Sequence, residues 1–167
     1  MRWEEFASHA PELAALAQQR FDRMGLALLG TLRKDGSPRI SPCEPYITEG
    51  ELLLGMMPDS MKALDLLRDP RIVVHSTVSD REGTEGDVKL YGRAVNLTDD
   101  AAWRDRYGDA TEARIGWRPT GRFHLFTVDI ASAGFALFGP ERYGLAWSPE
   151  RGLRRLPIAE DPEVTQA

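Results

Sequence analysis

The spacing of apolar positions changes along the chain, and each change marks an element. Between residues 3 and 24, Leu13, Leu16, Ala17, Phe21 and Met24 recur at helical intervals. This predicts an amphipathic segment lying over a core, with Pro11 opening its better half, since proline suits the first turn of a helix. From Leu26 the period shortens to that of a strand. LALLGTLRKDGSPRISPCEPYI contains two extended runs joined at Lys34-Asp35-Gly36, a strong hairpin signal. Pro38, Pro42 and Pro45 all fall in the second run; lacking backbone donors, they predict an edge strand or bulges. A turn at Thr48-Glu49-Gly50 leads into ELLLGMM, then into a short helix over residues 59–68 that Asp69-Pro70 ends. RIVVHSTV and DVKLYGRAVNL are further strands across the polar loop SDREGTEG. In the second, Val88, Leu90, Gly92 and Ala94 alternate with Lys89, Tyr91 and Arg93, so one face is buried. Residues 99–114 are expected to form a helix opened by Thr98 or Asp99. Two or three strands in RFHLFTVDI, AGFALFG and YGLAWS close the chain, and residues 160–167 are expected to be a flexible tail.

Strands joined mostly by hairpins, with helices inserted and no strict alternation, predict a mainly β, α+β fold. Its expected form is a six- to seven-stranded antiparallel sheet closed into a split barrel. At 167 residues this is one domain, 1–167, with residues 1–24 forming cover helices. Hydrophobic residues make up 42% and charged residues 28%, which excludes a disordered or fibrous class. The net charge of −5 and the scatter of basic residues among acids argue against nucleic acid as a partner. Cys43 is the single cysteine, so an internal disulfide and a thiolate zinc cluster are excluded, and a cytoplasmic location is expected. The longest apolar runs fall far short of the ~20 residues a membrane helix needs.

GMMPDSMKALDLL poses a chemical question. If Asp59 or Ser60 caps the helix, Lys62 lies in its first turn, where the macrodipole already leaves partial positive charge. Free first-turn amides, the Ser60 hydroxyl and an adjacent ammonium together make an anion site suited to a phosphate. The dipole repulsion costs only about 0.3–1 kcal/mol, against roughly 1.5–3 kcal/mol for each charge-assisted hydrogen bond. The alternative on spacing alone is a plain Ser60 cap, with Lys62 paired to Asp59 or Asp65 in solvent. Arg39 and Ser41 share one face of the preceding strand, and Arg39 would offer a forked second cation. His9, His75 and His124 lack ligand-like spacing, so no metal site is expected, and neither is a catalytic triad or carboxylate pair. Cys43 between prolines fits packing better than nucleophilic chemistry. Tyr143, Leu145 and Trp147 share a strand face suited to the core or to a dimer contact.

Three separated segments, LGTLRKDGSPRISPCEPYI, GELLLGMMPDSMKALDLLRDPRIVV and GDVKLYGRAV, resemble the pyridoxamine 5'-phosphate oxidase-like superfamily of flavin-binding split β-barrels. The resemblance implies a homodimer with flavin mononucleotide (FMN) at the subunit interface, its phosphate at the helix start and its ring along the second strand. By position it assigns Arg39, Ile40 and Ser41 to the cofactor strand, Gly55 and Met56 to third-strand contacts, and Ser60 and Lys62 to the phosphate clamp. Asp87 stands where the oxidase has a glutamine that donates toward the flavin; an ionised carboxylate only accepts. RYGLAWSPERGLRRLP does not match the oxidase's closing segment, so pyridoxal phosphate is not the expected product. What the resemblance implies is a flavin-dependent oxidoreductase acting on an unidentified small molecule. The alternatives are a reductase using a deazaflavin coenzyme, or a non-catalytic flavin- or haem-binding protein.

Overall fold

The computed structural model describes residues 1–159; the expected tail at 160–167 lies outside them. Helices α1 (Trp3–His9) and α2 (Pro11–Met24) meet at Ala10, and Pro11 opens the second of them. Nine strands follow among the described residues: β1 (Ala27–Leu32), β2 (Pro38–Cys43), β3 (Pro45–Thr48), β4 (Glu51–Met56), β5 (Arg71–Ser76), β6 (Asp87–Asn96), β7 (His124–Leu137), β8 (Tyr143–Ser148) and β9 (Gly152–Pro157). Helix α3 (Met61–Arg68) separates β4 from β5, and α4 (Ala101–Ile115) separates β6 from β7.

All pairings are antiparallel, and the sheet runs β2-β1-β5-β6-β7-β4-β3, with β8 and β9 continuing from β7. The sheet curls but does not close. Two of its edges, β2 and β3, are consecutive in the chain and separated only by Glu44, so one residue carries the backbone from one edge to the other. Pro42 and Pro45 flank this corner and cannot donate to a ladder, which is why the split stays open there. The corner is stitched otherwise: the Cys43 thiol donates to the Gly55 carbonyl at 3.4 Å, and the Lys62 ammonium to the Pro42 carbonyl.

The strand count exceeds the expected six to seven for two reasons. The proline-rich run breaks at Glu44 into β2 and β3, and Gly152–Pro157 adds an exposed edge strand with no apolar alternation. In the other direction, RFHLFTVDI and AGFALFG are one strand: β7 runs unbroken, pairing β4 through its first half and β8 through its second. The small residues in SAG mimic a break.

The concave face holds the main core. Phe6, Leu13, Ala17 and Phe21 of the cover helices pack on Leu29, Leu52, Leu54, Leu90, Phe126 and Ile130. Each large side chain removed from water contributes roughly 1.5–3 kcal/mol. Leu145 and Trp147 join this core, Trp147 edge-on to Phe6 at 5.0 Å between ring centres. On the opposite face, α4 lays Tyr107 over Tyr46, Leu53 and Leu125 as a second cluster. Strand β4 is thus covered on both sides, which explains the unbroken apolar run ELLLGM in place of alternation.

Candidate functional site

The corner where β2, the end of β4 and the start of α3 meet gathers most of the residues singled out from the sequence. Helix α3 begins two residues later than expected. Ser60 occupies the N-cap position and Asp59, with φ 58°, forms the left-handed turn before it, a conformation aspartate tolerates better than most residues. Neither caps the helix through its side chain. The Ser60 Oγ is buried and has no hydrogen-bond partner among the described residues. No acid stands in the first turn, and Lys62 is its second residue.

Lys62 pairs with neither Asp59 nor Asp65. Its ammonium donates to the Pro42 carbonyl on the edge strand β2. An ammonium has three donors, so this contact fixes its position and leaves two protons for an anion. Asp65, one turn along, is buried and takes three hydrogen bonds: from Arg39 Nε at 2.6 Å, Arg68 Nη2 at 3.0 Å and Thr31 Oγ1 at 3.0 Å. Burial alone would raise its pKa, but these donors outweigh it and hold the carboxyl below the ordinary range. Thr31 and Arg39 are cross-strand partners in the β1–β2 register. Asp65 therefore pins α3 onto that hairpin and orients Arg39 through Nε, with no other hydrogen bond to the guanidinium among the described residues.

Ser41 shares the Arg39 face of β2, while Ile40 points outward and is 73% exposed. Met56 is buried in the main core. Gly55 faces α4: a Cβ built there would lie 2.2 Å from the Tyr107 hydroxyl, so the room above this glycine is taken by tyrosine. Asp87, at the start of β6, is not brought to this corner within one chain. Strands β1 and β5 separate it from β2, and its carboxylate pairs with Lys89 and with His75 Nε2 at 3.4 Å. Burial pushes the Cys43 thiol up to about 11 despite the nearby Lys62 ammonium, so at neutral pH it is a packed S–H donor.

Two neighbouring clefts flank the α3 start; Gly55 and Met56 in the first were singled out from the sequence as coenzyme contacts, whereas Met57, Tyr107, Trp117 and Arg122 were not. One, of about 300 Å³, lies between residues 55–58 and the loop 117–123; Met57, Tyr107, Trp117 and Arg122 line it. The other, of about 510 Å³, shares Pro58, Arg122 and Phe123 and includes His124. His124 Nε2 accepts from the Asp59 amide at 3.4 Å, and its buried Nδ1 has no partner among the described residues. Tyr107 reaches this place because α4 packs over β3 and lays that side chain against Leu53 and Gly55 of β4, and Arg122 comes from the loop after α4, neither of which any local spacing announces. Among the described residues, no cluster of three or more His, Cys, Asp or Glu forms a metal-binding group, and no helix is long and apolar enough to cross a membrane.

Known structures share this architecture. A haem binding protein from Mycobacterium smegmatis superposes with a TM-score of 0.61 at 19% identity over 81% of this chain; the chain spans 58% of that protein's length. A conserved hypothetical protein from Mycobacterium tuberculosis gives 0.61 at 18% identity, covering 92% of this chain and 93% of that one. A putative pyridoxamine 5'-phosphate oxidase from Listeria innocua gives 0.56 at 10% identity, covering 70% and 91%. At such identities the likeness concerns the fold alone. No curated protein matches the chain. The sequence profile of pyridoxamine 5'-phosphate oxidase, however, matches residues 13–135, which span β1 through most of β7 and include the whole β2–α3 corner. The chain belongs to the pyridoxamine 5'-phosphate oxidase family.

Proposed function

We propose that this protein binds FMN through a phosphate seated at the start of α3 and works as a flavin-dependent oxidoreductase on a small molecule. The observation that carries the reading is the buried Ser60 Oγ without a partner, beside an ammonium in a first helical turn that contains no acid. A phosphate would accept from that hydroxyl, from the first-turn amides and from Lys62, and the Nη groups of Arg39 would supply a second cation. Ile40, Ser41, Gly55 and Met56 would border the ring through their backbones, since Ile40 turns outward and Met56 into the core. Bound flavin supplies the redox chemistry; the chain's residues bind, orient and exclude water, and no catalytic side chain is assigned.

A homodimer with the coenzyme at its interface belongs to the same proposal. Ile40, Gly30, Val73 and Tyr91 follow one another in register across β2, β1, β5 and β6, and Leu28 lies in the next row. Ile40, Leu28 and Tyr91 are 73%, 36% and 42% exposed, an apolar strip that a second copy would cover. Asp87, remote from the corner within one chain, would then reach the coenzyme from the partner. Sedimentation of the wild type and of Ile40→Lys tests this: a dimer that the lysine converts to monomer is expected.

Haem is the second reading, favoured by the haem binding protein among the structural neighbours. A deazaflavin coenzyme would use the same phosphate chemistry. The absorption spectrum of the purified protein, with titration of each coenzyme into wild type and Lys62→Ala, separates the three. FMN affinity that survives Lys62→Ala would refute the phosphate assignment.

A further inference from the structure

The cleft between residues 55–58 and the 117–123 loop has no part in the phosphate site, yet it is built like a ligand pocket. Trp117 and Met57 stand on its rim at 57% and 75% exposure, although large apolar groups usually seek cover. Tyr107 forms its floor. That residue is only 5% exposed, its ring is held edge-on to Tyr46 at 5.3 Å, and its hydroxyl lies against Gly55 with no hydrogen-bond partner among the described residues. Burial pushes the phenol upward, so the group is a neutral donor at any physiological pH. Arg122 lines the same cleft, exposed and with no ion pair or hydrogen bond among the described residues. An apolar wall, a hydroxyl donor on the floor without an acceptor among the described residues and a cation without a counterion there define a complementary molecule: flat, apolar and acidic. The volume of about 300 Å³ suits one or two fused rings.

We infer that this cleft binds a planar aromatic acid, its ring against Trp117 and Met57, its carboxylate on Arg122, and a further oxygen accepting from Tyr107. Binding stands on this geometry alone. The role of that acid as the redox substrate rests on the coenzyme reading, because the cleft and the coenzyme site meet at Gly55 and Met56. Glu44 also lines the cleft and makes the opposite preference, for an aromatic cation, the rival to eliminate.

The test uses 2-naphthoate, the neutral 2-naphthalenemethanol and the cationic 2-naphthylmethylammonium, titrated by calorimetry into the full chain with and without FMN. The acid is expected to bind best. Arg122→Gln should weaken it by about tenfold or more, the loss expected for one charge-assisted contact, and bring it level with the neutral probe. Trp117→Ala should weaken acid and neutral probe alike. FMN affinity should be untouched by Arg122→Gln. Equal binding of acid and neutral probe to the wild type, stronger binding of the cation, or acid affinity unchanged in Arg122→Gln would each overturn the inference. Naphthoate binding that persists in Lys62→Ala while FMN binding there also persists would sink the coenzyme reading and leave this site standing.

Discussion

Helices α3 and α4 solve the same problem at their N-termini in opposite ways. Both leave first-turn amides without helical acceptors. At α4 the chain answers from within: the Asp100 carboxylate accepts from the Trp103 amide at 3.1 Å and meets the dipole with negative charge. At α3 the N-cap hydroxyl makes no such bond, no acid stands in the first turn, and a lysine enters it. The unbonded start therefore depends on something else for its position, and that is Asp65, which fastens the helix to Thr31 and Arg39 from its buried side. A terminus left electrostatically open but mechanically fixed is what a phosphate site requires, whereas a self-capped terminus has no such vacancy for an anion.

Removing the fastening should have the largest effect. Asp65→Asn deletes the charge shared by Arg39 and Arg68 and is expected to cost about 2–3 kcal/mol, measured by urea unfolding, with FMN affinity falling as well because Arg39 loses its orientation. The same carboxylate predicts a pH dependence. Its folded pKa lies below its unfolded value, so its stabilisation is present above the ordinary aspartate range near ~3.9 and is lost as pH falls through the lowered folded value. Wild type should lose stability in that acid window more steeply than Asp65→Asn; parallel curves would show that Asp65 is not the anchor.

Next comes the open terminus itself. Lys62→Ala should weaken FMN by about 10–100-fold, equivalent to roughly 1.5–3 kcal/mol. The comparison with α4 sharpens at the caps. Asp100→Ala should destabilise the coenzyme-free protein by about 1 kcal/mol, whereas Ser60→Ala should move it by no more than about 0.5 kcal/mol, because no cap bond exists to lose. Equal losses at both positions would mean that Ser60 caps its helix after all.

The oddness of Lys62 was legible in the sequence because a first-turn cation conflicts with a local rule. Its actual partner was not, since a backbone carbonyl of an edge strand carries no side-chain signal. Likewise the Asp35-Gly36 turn announced the β1–β2 hairpin, and the prolines announced an edge, but not that Glu44 carries the chain from one edge of the sheet to another. ELLLGM was recognisable as a strand; that Tyr107 covers its outer face depended on α4, whose apolar stripe is faint and whose cap lay one residue beyond those expected. Local chemistry was readable wherever one element sets it. The aromatic cleft was hidden because three distant segments share it.

The smallest effect expected lies at Cys43, which reports on the same corner. Burial holds its thiol up near 11, and the Lys62 ammonium is the main influence favouring the thiolate. At pH 7.5 less than about 0.1% of the thiol is then ionised, and alkylation of the folded protein should be slow, with a rate that climbs with pH and shows no inflection in the range of ordinary thiols. Lys62→Ala removes the favouring charge, so the inflection should move higher still, by a small amount set by screening across a partly exposed side chain. An inflection between 7 and 9 in the wild type would mean that the thiol is not sealed between β2 and the Gly55 carbonyl. The edge-to-edge stitching that positions Lys62 beneath the unbonded helix start would then be looser than the geometry requires.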